Sequence, residues 1–187
     1  MSFASMLRGL TRKKVKFVVV GGVAAAAHGS SRVTQDLDVC YDASNRANLV
    51  ALASVLSSWD AYPRGVEPDL PFILDDRTLF GAPVLTLTTS EGDIDVMDRI
   101  AGVGDYTAVS RHSERISALG VRFRVLDLPS LIKSKRAAGR PRDHQHLPEL
   151  EALLALGNRR AQNPASTRRQ TIKRPGALKR FLDDRNE

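Results

Sequence analysis

The sequence predicts an α/β fold: a small mixed β-sheet flanked by helices, with a helical C-terminal portion. Three observations carry that expectation. Val15–Val20 is a nearly continuous, β-branched apolar run ending at Gly21-Gly22, as a buried central strand closed by a turn would be. Asp36-Leu37-Asp38-Val39 and Asp93-Ile94-Asp95-Val96 alternate acid with apolar residue, as strands that aim their acids to one side do. Leu49, Leu52, Ala53, Val55, Leu56 and Trp59 recur at helical spacing, so Trp59 is expected in the core.

The elements follow in chain order. Ser2–Leu10 is expected as a short helix and Val15–Val20 as the first strand. Val23–His28 opens a helix of alanines that Gly29-Ser30-Ser31 breaks. Leu37–Tyr41 is the second strand, and Asp42 or Ser44 caps the helix after it. Residues 61–70 are turn-rich, with Pro63, Gly65 and Pro68. Phe72–Phe80 and Pro83–Thr89 are expected as short strands, and Ile94–Met97 as the strand carrying the second acid motif. Ile100–Val109 is expected as loop, His112–Leu119 as loop or short helix, and Val121–Leu126 as a peripheral strand. Leu128–Ala138, begun by Pro129-Ser130, and Leu147–Leu156 are helices. Asn158–Arg174 is expected as a linker and Ala177–Asp184 as a last short helix. The expected division is a core over residues 1–126, a helical portion over 127–157 and a basic tail over 158–187.

Composition narrows the function classes. The 187 residues suit one domain with an appendage, and 42% hydrophobic residues suit a globular core. No apolar run is long enough to span a bilayer, so no membrane partner is expected. Cys40 is the lone cysteine, which excludes an internal disulfide and fits a reducing, cytoplasmic setting. Cys40 lies among apolar strand residues and is expected in the core rather than as a nucleophile. Net charge is +7, which favours a polyanionic partner. From Arg159 onward nine basic residues face only Asp183, Asp184 and Glu187, so the tail is either a solvated appendage or a nucleic-acid contact.

The chemistry concentrates in two motifs. Asp36 and Asp38 share one side of a strand, and two like charges held together call for a cation. Asp95 repeats the pattern and would complete a triad able to hold two Mg²⁺ ions. Asp93 shares its face but sits at the strand start; Asp42 and Asp98 are expected as surface or capping acids. Gly21-Gly22, at a strand end, offers backbone N–H groups to phosphate oxygens. Ser30, Ser31 and Arg32 precede the acid pair, and Arg32 could clamp a triphosphate or pair with Asp36 or Asp38. His28 could serve the loop or simply end the helix. Lys133, Arg136 and Arg140 are spaced to share one helix face, with Lys135 pointing elsewhere. Together these parts suit nucleotidyl transfer from a nucleoside triphosphate.

Gly21-Gly22, Asp36-Leu37-Asp38 and Asp95 resemble the nucleotidyltransferase superfamily related to DNA polymerase β. The run Gly22–Gly29 followed by Arg32, Thr34 and Asp36 is similar to a narrower branch, the AbiEii-type and MenT-type toxins of bacterial toxin–antitoxin pairs. Leu131-Ile132, Lys135, Ala138-Gly139-Arg140, Asp143 and Leu147 extend the likeness, which covers residues 15–156. The resemblance implies the nucleotidyltransferase fold and an NTP substrate. It implies Asp36, Asp38 and Asp95 as metal ligands, and Lys135 with an acid nearby as support for the active site. Gly21, Gly22, Ser30, Ser31, Arg32 and Arg140 would bind nucleotide. The branch further implies RNA as acceptor, above all the 3′ end of tRNA, and a cognate antitoxin protein. Two positions depart: Val23 stands where many members have Ser, and His146 where the branch commonly has an acid. Two rival readings are an antibiotic-modifying type of small-molecule transferase, which would need an acidic pocket, and a non-enzymatic RNA-binding module on a transferase fold.

Overall fold

The computed structural model describes residues 3–67, 70–118 and 120–162. The elements run α1 (Phe3–Arg12), β1 (Phe17–Val19), α2 (Gly21–Ala27), β2 (Asp36–Tyr41), α3 (Arg46–Ser57), β3 (Tyr62–Pro63), α4 (Asp76–Gly81) and β4 (Val84–Thr88). They continue β5 (Asp93–Met97), β6 (Arg99–Ile100), β7 (Gly104–Asp105), α5 (Tyr106–Arg111), β8 (Ser113–Ala118), β9 (Val121–Leu126), α6 (Leu128–Ala138) and α7 (Pro141–Gln162). Among the described residues, seven strands form one mixed sheet in the order β3-β4-β5-β2-β1-β9-β8, and β6 and β7 pair apart. Helices flank the sheet and close the C-terminal part, as expected. No helix among the described residues is long and apolar enough to cross a membrane.

The centre of the sheet follows from its apolar side chains. β1 is buried throughout, and Leu37, Val39, Ile94 and Val96 are fully buried. β2 and β5 run parallel, with Leu37 opposite Ile94 and Val39 opposite Val96. Each such side chain contributes about 2 kcal/mol on burial. A one-residue slip of either strand would turn its two apolar side chains outward. The same register therefore sets Asp36 beside Asp93 and Asp38 beside Asp95. Cys40 and Trp59 lie in the core, and burial pushes the Cys40 thiol up to about 12.

Several elements differ from expectation. Phe72–Phe80 is not a strand. Asp75 caps α4 by accepting a hydrogen bond from the Thr78 backbone N–H at 2.8 Å, and only Leu79 of that helix is buried. Ile100–Val109 is not simple loop: it contributes the β6–β7 ribbon and starts α5, capped by Asp105. His112–Leu119 gives β8, an edge strand paired antiparallel with β9. β9 is therefore interior, joined on its other side to β1 through Val19 and Val125. Asn45, not Asp42 or Ser44, caps α3, while Asp42 is buried and pairs with Lys16 at 3.5 Å. α2 starts at Gly21 rather than Val23, and α1 runs on to Arg12. α7 spans 141–162, longer than Leu147–Leu156 and past the expected boundary at 157. The rest of the expected linker and the helix at Ala177–Asp184 lie outside the described residues.

Candidate active site

The chain leaves β1 at Val20 and turns through Gly21, whose φ of +57° is a left-handed conformation that side chains disfavour. A Cβ there would sit 1.8 Å from Asp38 Oδ2. At Gly22 a Cβ would sit 2.4 Å from the Thr34 Cβ. The two glycines thus let the backbone come up against the acid strand, and Gly22 N–H donates to Asp38 Oδ2 at 3.4 Å. Thr34 Oγ1 donates to Asp36 Oδ1 at 2.8 Å, fixing the other acid.

Asp36, Asp38 and Asp95 offer ligand oxygens that all lie within 4.8 Å of one another. Burial and crowding show in the titration of Asp38 and Asp95. Asp38 is raised from 3.8 to about 7, first by burial and then by the charges of Asp36 and Asp95; the Gly22 N–H and Lys135 oppose this. Asp95 is raised by burial, with Arg64 opposing and Asp36 adding. Three carboxylates form a hard oxygen donor set of the kind Mg²⁺ takes, and a cation would relieve both effects. The triad fits the ion.

Arg64 and Arg142 are residues that sequence reasoning missed; Arg142 lines both cavities over the acids, and Arg64 touches the acids themselves. Arg64 follows β3, and its guanidinium reaches Asp95 Oδ1 at 3.0 Å, Asp93 Oδ2 at 3.3 Å and Asp36 Oδ2 at 3.9 Å. Its backbone N–H donates to Thr86 O at 2.9 Å and Nη2 donates to Leu87 O at 3.2 Å, both on β4. Asp93 is thereby part of the cluster. In sequence Arg64 is one arginine in a Pro-Gly turn, with no spacing signal toward the acids.

The helical C-terminal part adds a second cluster. Lys135 Nζ donates to Asp143 Oδ1 at 3.0 Å and Arg140 Nε to Asp143 Oδ2 at 2.7 Å. Asp143 is only 2% exposed. Burial alone would raise its carboxyl, but the bonds from Arg140 and Lys135 outweigh it and hold it below the usual range. Lys135 points away from Lys133 and Arg136, as helical spacing requires. Arg140 does not share their face: Gly139 ends α6 at φ +64°, and past it Arg140 bonds to Asp143, the acid that Lys135 also holds. Arg136 instead pairs with Glu151 at 2.6 Å.

The remaining expected residues divide. Arg32 pairs with neither Asp36 nor Asp38; Nη2 donates to Gln145 O at 2.8 Å and Nε lies 3.9 Å from Glu149. Ser30 is buried and its Oγ hydrogen bonds with His146 Nε2 at 2.9 Å. Ser31 donates through N and Oγ to Glu149. Both serines thus tie the loop to α7, and neither lines the cleft over the glycine turn. His146 is held below its ordinary value by burial and by Lys135 and Arg32. His28 donates from Nε2 to Leu126 O at 2.7 Å, a structural role.

Two cavities among the described residues share the acids. One, of about 210 Å³, lies over Gly21 and Gly22 and is walled by Arg32, Lys135, Arg140 and Arg142. The other, of about 560 Å³, holds Asp95 and Arg64 and has an apolar wall including Val84, Met97 and Leu131. Both are lined by Gly21, Asp36, Asp38, Lys135 and Asp143. The arrangement is an acidic centre with a basic cleft on one side and a larger, mixed one on the other.

No known family model matches the chain. No curated protein matches it either. Among solved structures, it is similar to a putative nucleotidyltransferase from Thermotoga maritima, with 17% identity and a TM-score of 0.49 over 80% of this chain and 94% of that one.

Proposed function

We propose that the chain is a Mg²⁺-dependent nucleotidyltransferase that moves a nucleoside monophosphate from an NTP to an RNA 3′ hydroxyl. The observation that carries this reading is the β2–β5 register, which joins Asp36, Asp38 and Asp95 beside the Gly21-Gly22 turn and a cleft of cations. Asp36, Asp38 and Asp95 would hold the metal, which when bound supplies charge neutralisation on the triphosphate and acidifies the acceptor hydroxyl. Arg32, Lys135 and Arg140 line the smaller cleft and hold the phosphates, with Arg142 as a further cation there. The acceptor oxygen bonds to the α-phosphorus, the bond to the β-phosphate bridging oxygen breaks, and pyrophosphate leaves. Asp95 faces the larger cavity, where the acceptor enters, and takes the hydroxyl proton. Catalysis is then positioning and electrostatics.

A polyanionic acceptor is supported by the +7 charge and by the arginines around both cavities. The walls hold no surplus of acids for a cationic small molecule beyond the metal-binding cluster itself. tRNA as that RNA, a toxin role and a cognate antitoxin rest on the sequence resemblance. The test is incubation with each labelled NTP and total RNA, with Mg²⁺ and with EDTA, for the unaltered chain and Asp38→Ala. Label should enter RNA only with Mg²⁺ and intact Asp38. Labelling of a small hydroxylated compound with no RNA product would overturn the acceptor class, and normal turnover by Asp38→Ala would overturn the active-site assignment.

A further inference from the structure

We infer that Arg64 is a resident cation of the acid site: it takes the place of a second divalent ion beside Asp93 and Asp95 and leaves room for one ion, on the Asp36–Asp38 side of the triad. The inference rests on the reading of the triad as a metal site, and it revises the expected count of two ions. Four carboxylates, those of Asp36, Asp38, Asp93 and Asp95, meet where β2 and β5 run side by side. Arg64 contacts three of them, at 3.9, 3.3 and 3.0 Å. The fourth, Asp38, has the Gly22 N–H at 3.4 Å. Lys135 reaches Asp38 only as a nearby charge, because its ammonium is bonded to Asp143.

Arg64 is built into this position. Its backbone N–H and its Nη2 both donate to β4 carbonyls, and β4 pairs with β5 with Thr86 opposite Asp95. A surface arginine swinging toward acids would have neither anchor. Its Nε is buried without a hydrogen-bond partner, held against Asp93 by charge alone. A guanidinium keeps its charge at any working pH. A divalent ion bound through Asp95 and Asp93 would need the oxygens that the guanidinium already holds at 3.0 and 3.3 Å and would have to approach its fixed positive charge, which is unfavourable. On the glycine-turn side the guanidinium is more distant: it lies 3.9 Å from Asp36 Oδ2, and its ion pairs do not include Asp38, so an ion seated there meets a weaker opposing charge.

The probe is Mn²⁺ alone, titrated into the full chain without nucleotide and followed by the EPR signal of the free ion. The unaltered chain should bind one ion tightly. Arg64→Gln should bind a second in the same concentration range, or bind the first about tenfold more tightly. Arg64→Lys keeps the charge and should bind one. Asp38→Asn should lose the tight ion, which checks the metal reading by itself. Thermal unfolding verifies that each variant folds, and Mn²⁺ should raise the melting temperature of Arg64→Gln more than that of the unaltered chain. Two tight ions in the unaltered chain would overturn the inference without any variant. An Arg64→Gln curve identical to the unaltered one would overturn it while leaving the metal reading standing. No Mn²⁺ bound by any chain would overturn both.

Discussion

Asp38→Asn is expected to stabilise the metal-free protein, by an amount set by pH. Asp38 is raised from 3.8 to about 7, by burial first and by its acidic neighbours second. Such a carboxyl is easier to protonate in the folded chain than in the unfolded one. Its contribution to stability is fully present below about pH 4 and is lost as pH rises to about 7. Within that window the folded chain holds a proton that the unfolded chain has released. Stability falls by about 1.4 kcal/mol per pH unit, or about 4 kcal/mol in all. Asn resembles the protonated carboxyl in shape and has no such window. Asp95 is also raised, by burial first and against the pull of Arg64, and its charge is among those that raise Asp38.

The assay is thermal unfolding in EDTA at pH 4.5 and pH 8. At pH 4.5 the variant and the unaltered chain should melt close together. At pH 8 the variant should melt higher, by on the order of 10 °C, given about 2–4 °C per kcal/mol for a chain of this size. Saturating Mg²⁺ should shrink the gap, because the ion binds and stabilises the ionised site of the unaltered chain. A gap that stays the same from pH 4.5 to pH 8 would refute the claim that Asp38 is buried against like charge.

Other substitutions test other parts of the site. Gly21→Ala places a Cβ 1.8 Å from Asp38 Oδ2 at a φ of +57°; it should cost about 1–3 kcal/mol or more and abolish transfer, and an active variant of full stability would show that Asp38 is not seated against the turn. Asp143→Asn strands Lys135, which is 14% exposed, and should cost about 3 kcal/mol in urea unfolding at neutral pH. That cost should diminish on acidification below the ordinary carboxylate range, because the folded Asp143 carboxyl is held low; a loss under about 1 kcal/mol would contradict a buried pair. Arg32→Ala gives up an exposed hydrogen bond to Gln145 O at 2.8 Å and a contact to Glu149 at 3.9 Å, together worth about 1 kcal/mol, so it should lower the melting temperature only slightly while raising KM for NTP; a fall in RNA affinity alone would move Arg32 to the acceptor side. Removal of residues 163–187 should weaken RNA binding and flatten its dependence on salt, since fewer counterions are released; unchanged affinity and slope would leave the tail without a role in RNA binding.

What the sequence makes legible here is local pattern. β1, β2, β5 and α6 stand where apolar runs and acid–apolar alternation place them, because burial of one face decides each of them. The segment 72–80 carries apolar residues suited to a strand, yet the Asp75 cap and the Thr78 N–H make it helical. Ser113–Ala118 has no strong pattern of its own; it becomes a strand because β9 supplies a partner and Gly120, at φ +73°, permits the return. The β8–β9 hairpin is local, but the pairing of β9 with β1 through Val19 and Val125 is not, so the interior place of β9 is not legible from its own residues. Arg140 illustrates the same limit on a smaller scale. Helical spacing assigned it to the face of Lys133, and past one left-handed glycine it bonds instead to Asp143, the acid that Lys135 also holds.

The same division runs through the candidate site and explains its chemistry. Its acids come from alternation within two strands, so they are visible one motif at a time, and the register that joins them follows from the apolar residues between them. Its cations come from elsewhere: Arg64 from a turn beyond α3, Lys135 and Arg140 from the end of α6. Lys135 and Arg140 are marked only by the resemblance of the run around them, and nothing near Arg64 marks it, because a cation needs only reach, and long side chains reach across elements. The partition has a consequence for function. Acids fixed on a sheet are held rigidly whether or not a ligand is present, at a cost of about 4 kcal/mol for Asp38 alone. Burial of Leu37, Val39, Ile94 and Val96 exceeds that cost, at about 2 kcal/mol each. The core thus holds Asp38 buried beside like charges, and the site stands ready for a cation before any arrives, the preorganisation that the proposed phosphoryl transfer would use.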